Sequence, residues 1–95
     1  MFLFFLKSST GQGASPLHKA AIFGHVAVVK KLVESGANIN AADSAGDTAL
    51  HYASRCNFPL VVRVLIDSGA SMSKNAAGLS PKDVACNAAM QQIFA

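Results

Sequence analysis

Apolar residues recur along this chain in short helical stripes, each set off by a small polar residue before it and a glycine or asparagine after it. Leu17, Ala20 and Ala21 share one helical face directly after Ser15-Pro16. Ser15 fits an N-cap, because its hydroxyl can accept from an orphan backbone N–H. Pro16 fits the first helical position, where a missing N–H costs nothing. Gly24 predicts the stop of this short helix. A second helix is predicted from about Val26 to Ser35, with Val28, Val29, Leu32 and Val33 as its apolar stripe. Lys30, Lys31 and Glu34 lie off that stripe, and Gly36 closes it. Residues 37–46 then cluster Asn, Asp and Gly, which predicts an extended turn or hairpin.

The whole pattern then returns. Ser15 and Thr48, His18 and His51, Leu32 and Leu65, and Gly36 and Gly69 all stand 33 positions apart. In the second unit Thr48 is the predicted cap, and Asn57 takes the place of Gly24. Asparagine is the next residue that tolerates a left-handed backbone. Pro59 opens the second helix, and Val61, Val62, Leu65 and Ile66 repeat the earlier stripe. A third unit begins at Gly78, after a second hairpin one residue shorter than the first. Ser80-Pro81 again predicts a cap and a first turn. Ile93 and Phe94 fall where Val28 and Val29 stand, so the last helix is expected to be cut short or to act as a terminal cap. Ala89 falls on the place of Gly24, which predicts a distorted turn there. A fixed period of this length implies stacked helix pairs, since one pair cannot bury its stripe alone.

Composition narrows the function classes. The chain has 95 residues, 52% of them hydrophobic and 14% charged, which excludes a disordered tail. The net charge of +3 is spread thinly, with no basic run longer than the pair Lys30-Lys31. Nucleic-acid binding wants a clustered basic face, so the charge pattern speaks against it. Cys56 and Cys86 have no metal-type spacing. Two free thiols fit a reducing compartment, cytoplasm or nucleus. The run Met1 to Leu6 is too short to span a membrane and lacks a signal-peptide pattern. Residues 1–12 therefore read as an apolar cap over the first unit plus a loop, or as a boundary artefact. The repeat domain is expected over 13–95, as units 13–45, 46–77 and a partial 78–95.

The run Ser15-Pro16-Leu17-His18-Lys19-Ala20-Ala21, with Gly24-His25, Val28-Val29, Leu32-Val33 and Gly36-Ala37-Asn38-Ile39-Asn40, resembles an ankyrin repeat almost position by position. Thr48-Ala49-Leu50-His51 is a second copy. Ser80-Pro81-Lys82-Asp83-Val84-Ala85 is similar to a final repeat, where Asp stands in place of His. The resemblance implies an all-α solenoid of helix–turn–helix units with short β-hairpin loops, about two and a half repeats in all. It implies a non-catalytic protein–protein interaction module with a concave face. The alternative is a structural fragment of a longer solenoid that supports a catalytic or membrane domain elsewhere. The partner implied is a protein of unknown identity. No membrane insertion is expected, and the chain is expected to be monomeric or part of a longer one. With only two full units, low stability is expected for the isolated chain, with a melting midpoint below about 70 °C.

Candidate sites follow from that frame. The partner surface is expected to use Ile22, Phe23, Arg55 and Cys56 at the ends of the inner helices. Hairpin residues Ser44, Ala45, Asp47, Lys74, Asn75 and Leu79 extend it. Phe23 and Arg55 rank first as anchors, because aromatic and arginine side chains dominate interface energetics. Phe23 has a second reading, packed under the N-terminal apolar run. His18, His25 and His51 lack metal-ligand spacing, so neither metal nor cofactor is expected. Ser15/His18 and Thr48/His51 lack the orienting acid and oxyanion hole that nucleophilic catalysis needs. Asn40 resembles an asparaginyl-hydroxylase target, with Leu32 eight residues before it; Asn38 stands where an acidic residue is preferred. A +16 mass on the Asn40 peptide would report the modification.

Overall fold

The computed structural model describes residues 15–94. The apolar run Met1 to Leu6 and the loop that follows it lie outside the described residues. Helix α1 (Pro16–Ile22) is followed by α2 (Val26–Glu34), α3 (Ala49–Arg55), α4 (Pro59–Asp67) and α5 (Ala88–Ile93). Within each unit the two helices pack as a pair, α1 on α2 and α3 on α4. Between units α1 packs on α3, α2 on α4, and α4 on α5. The apolar stripes meet at those seams. Leu17, Ala21, Val29, Leu50, Ala53, Val61, Val62, Leu65 and Met90 are buried there as one cluster. Full burial of one such leucine or valine stabilises the fold by roughly 1.5–3 kcal/mol.

The local signals hold where the apolar anchors are present. Ser15 and Thr48 have extended backbones and cap α1 and α3 with their side chains. Asn57 adopts a left-handed backbone with φ of 63°, the place Gly24 fills in the first unit with φ of 69°. A methyl group at Gly24 would sit 2.5 Å from the ring of Phe58. Phe58 thus uses the absent side chain to lie across the first turn, which accounts for the change from His25 to Phe58.

Two expectations need correction. Val28 belongs to the predicted buried stripe, yet it is 47% exposed, while its counterpart Val61 is fully buried. A unit stands in front of Val61, and no described residue covers Val28. The third unit departs further. Residues 81–84 form turns and no helix, and α5 starts at Ala88 behind an Asn87 cap whose Oδ1 accepts from Met90 N at 2.8 Å. The position held by buried Leu17 and Leu50 carries Lys82, which is exposed. Without that anchor the inner helix loses its grip on the core. The helix begins before Ala89, so Ala89 needs no left-handed backbone. Met90 supplies the buried contact instead.

The hairpins are turns with cross-bonds and no assigned strand among the described residues. In the first, Asp43 N donates to Asp47 O at 3.0 Å, and Gly46 N to Asp43 O at 2.9 Å. In the second, Asn75 N donates to Leu79 O and Gly78 N to Asn75 O, both at 2.9 Å. The Asp43 and Asn75 side chains do the same work, each accepting from backbone N–H groups two and four residues on. Such side-chain bonds replace a ladder with a local turn. Hence the missing residue of the second hairpin falls before Asn75 and leaves the tip intact.

Candidate protein-binding surface

Each unit is tied to the next by a histidine. In the first, Nδ1 of His18 accepts from Ser15 N at 3.0 Å, so that nitrogen carries no proton. The proton therefore sits on Nε2, which donates to Asp47 O at 2.8 Å in the following hairpin. The second unit repeats this. Thr48 N donates to His51 Nδ1 at 3.1 Å, and His51 Nε2 donates to Leu79 O at 2.8 Å. Histidine stands where a capping box has Glu or Gln. Its far nitrogen has a second task that a carboxylate could not perform. Both rings are buried with both nitrogens engaged, so neither is free to act as a base or a ligand. Ser54 adds a third tie, its hydroxyl donating to Pro81 O at 2.7 Å.

These ties bring the hairpins together. Ala76 N donates to Ala45 O at 2.9 Å, joining the tips of successive units. Below them, Tyr52 donates its hydroxyl to the Asp43 carboxylate and packs edge-on against His18, ring centroids 5.6 Å apart. Arg55 lies over the Tyr52 ring, 5.5 Å from its centroid, and reaches both oxygens of Asp47 at 3.4 Å. Its side chain is still 42% exposed. The sequence-expected anchor Arg55 is therefore held in place from two sides with its outer edge free.

Asp47 is different from its expectation. It is 6% exposed and works as a buried strut, taking Asn75 Nδ2 at 2.8 Å along with Arg55. Asn75 is half-buried, its amide spent on Asp47 and on its own hairpin. Both hold the surface in shape. Burial pushes the Asp47 carboxyl up, but the Asn75 amide and the Arg55 guanidinium outweigh it, and the pKa lies below the ordinary 3.8. A depressed carboxylate contributes stability that is present above the ordinary pKa and lost as pH falls through the folded one. Asp47→Asn should therefore flatten the acid limb of stability below about pH 4. Urea titrations of both proteins at pH 7 and pH 3 check this, and equal losses in the two would contradict it. Asp83 is also depressed, by the backbone N–H and hydroxyl of Ser80, so its contribution stays in both arms of that comparison.

The other expected contacts sort by exposure. Ser44, Ala45, Arg55, Cys56, Lys74 and Leu79 are exposed, and Ile22 is half-buried. Cys56 is a free thiol whose pKa burial pushes up. Phe23 is 41% exposed and lies beside His25 at the other end of the described stack, ring centroids 6.2 Å apart. Asn40 bridges units: its Oδ1 accepts from Ser71 N at 2.8 Å, and its own N–H donates to Asn38 Oδ1 at 3.1 Å. The second hairpin has no such amide and pairs Ser71 with Ser73 at 3.3 Å. The sequence reading missed Tyr52 and Ser54. Among the described residues no three His, Cys, Asp or Glu side chains are grouped to hold a metal, and no helix is long and apolar enough to cross a membrane.

Paired helices in a fixed period, imidazole ties between units and joined hairpin tips define a stacked helical repeat protein. The chain belongs to the ankyrin repeat family: the model described as "Ankyrin repeats (3 copies)" matches residues 2–76. The match begins inside the N-terminal apolar run and ends before the shortened third unit. Over 32 residues the chain is 56% identical to "Transcription regulator FGM4" of Gibberella zeae, a stretch covering 34% of this chain and 12% of that protein. Ankyrin repeats generally mediate protein–protein interaction and are typically non-catalytic.

Proposed function

We propose that this chain binds a protein partner through its joined hairpin tips and the adjoining end of α3, without catalysing a reaction. The observation that carries the reading is the Arg55 arrangement. The guanidinium is pre-positioned by Tyr52 and Asp47 beside the Ala45–Ala76 junction, yet its outer edge faces solvent. A side chain already ordered loses less entropy on binding. The exposed hairpin residues Ser44, Ala45, Lys74 and Leu79 add small, apolar and basic side chains to the surface, and Cys56 follows Arg55 in sequence. Ile22 and Phe23 continue the surface toward the first unit. Arg55→Ala should weaken partner binding about tenfold, which corresponds to about 1.4 kcal/mol. Arg63→Ala, on the outer helix α4, should leave affinity unchanged. Isothermal titration with the purified partner measures both. Equal affinities for wild type and Arg55→Ala would remove Arg55 from the interface.

A further inference from the structure

The surface around the joined tips is rich in donors and poor in acceptors. Two of the five N–H groups of the Arg55 guanidinium go to Asp47, both at 3.4 Å, and its outer edge meets solvent. A charge-assisted N–H···O bond is ordinarily about 2.7–2.9 Å long, so Asp47 holds Arg55 loosely and leaves it room for another anion. Lys74 and Lys82 are exposed further along, and among the described residues the one ion pair is Arg55 with Asp47. Lys74 adjoins Asn75, whose amide meets the same Asp47 carboxylate at 2.8 Å. The Ser80 N–H and hydroxyl hold the Asp83 carboxyl below its ordinary 3.8, and the nearby Lys74 and Lys82 add to this. Arg55, Lys74 and Lys82 thus form one strip from the end of α3 to the third unit. The carboxylates along that strip are engaged from within the chain. Asp43 accepts from Tyr52 and its own hairpin, Asp47 from Asn75 and Arg55, and Asp83 from Ser80 N at 2.9 Å. The other carboxylates, Glu34 and Asp67, end the outer helices and line a separate cleft with Lys30 and Ser68. We infer that the partner presents an acidic segment, with one Asp or Glu carboxylate seated on the free edge of Arg55 and Lys74 and Lys82 beside it.

The other partner chemistries fit the strip less well. A segment that brought lysine or arginine would meet Arg55, Lys74 and Lys82 and find the carboxylates between them already engaged. A wholly apolar segment would cover cations without pairing them, and a buried unpaired charge is costly. A carboxylate supplies what is missing. Arg55 is the seat for it, because a planar fork of donors matches a planar carboxylate and the Tyr52 ring and Asp47 fix the plane of that fork in advance. Lys74 and Lys82 form no bond and act as rim charges, which steer an acidic segment inward and make its capture sensitive to salt. A nucleic-acid strand finds less here. The Tyr52 ring is only 8% exposed and lies under Arg55, so no aromatic face is open to a base, and so few cations make few phosphate contacts.

An acidic partner at this strip rests on the tip interface proposed above, and the test separates the two. A phage-displayed library of linear peptides is selected on the immobilised full chain, and the recovered peptides are synthesised and titrated. They should be enriched in Asp and Glu over the starting library. Arg55→Gln should weaken their binding about tenfold, and Lys74→Gln or Lys82→Gln about threefold, as an exposed pair does. Lys74→Glu with Lys82→Glu reverses two exposed charges that form no bond, so it serves should Arg55→Gln fail to fold, and it should remove the binding. The same peptides with Asn and Gln in place of their acids should not bind. Recovered peptides that depend on Arg55 but carry no excess of acids would overturn the acidic segment and leave the tip interface standing. Peptides indifferent to Arg55 and to both lysines, or a selection that recovers none, would overturn both. A single-stranded oligodeoxythymidine that displaces the peptides and binds more tightly would also overturn the acidic segment, assigning the strip to nucleic acid.

Discussion

Replacing His51 with alanine should lower the melting midpoint by about 12 °C or more and loosen the third unit. The ring is fully buried and joins three places: the Thr48 cap, its own helix, and Leu79 in the next hairpin. Alanine leaves a cavity, removes one of the two bonds to Leu79 O and strands the buried Thr48 N–H. Large-to-small changes in a core cost about 2–5 kcal/mol, and an unsatisfied buried donor adds to that. About 3 kcal/mol is a large share of a small domain's stability, and each kcal/mol moves the midpoint by about 4–8 °C at this size. The loss should not be uniform. Leu79 and Pro81 are held to the second unit by His51 and Ser54, so α5 should lose hydrogen-exchange protection before α1 does. Thermal melts and exchange mass spectrometry together test this. A midpoint shift below about 4 °C would show that the imidazole tie is dispensable.

Gly46→Ala should cost about 2–3 kcal/mol and also weaken partner binding. Gly46 has φ of 78°, a backbone that costs an L-residue roughly 1–2 kcal/mol. The added methyl would lie 2.7 Å from Ala76 N and 3.1 Å from Asn75 Cα, both backbone atoms of the neighbouring tip. Those atoms cannot swing aside as a side chain would, so the Ala76-to-Ala45 bond must part. Gly78 provides the control. Its φ is 80°, but a methyl there meets nothing within 4 Å. Gly78→Ala should therefore carry the backbone strain alone. Denaturant titration of the two variants separates strain from tip contact by difference. Equal losses would mean that the joined tips contribute nothing measurable.

Much of the fold was legible in the sequence because its signals are local. The caps at Ser15 and Thr48, the left-handed place at Gly24 and Asn57, and Pro59 at a helix start are decided within a turn of chain. What was not legible depends on distant residues. Asp47 sits next to a cap and reads as an exposed charge. Its burial is made by Arg55 and by Asn75, which lies 28 positions away. Val28 and Val61 are the same residue in the same pattern, and only the neighbouring unit separates 47% exposure from none. In the third unit Ser80-Pro81 promised a helix start, and the loss of the leucine anchor to Lys82 overrode it. The candidate surface was legible as a set of positions. Its division into exposed contacts and buried struts needed the contacts that only the folded chain makes.

The interaction surface is tested most directly by placing a photo-crosslinking amino acid at single positions on two faces. Ala45 and Leu79 report the tips, and Glu34 and Arg63 report the outer helices; all four are exposed. With the purified partner present, the account predicts an adduct of one mass from Ala45 and Leu79 and none from Glu34 or Arg63. Adducts from the outer helices, with the tips unlabelled, would contradict it.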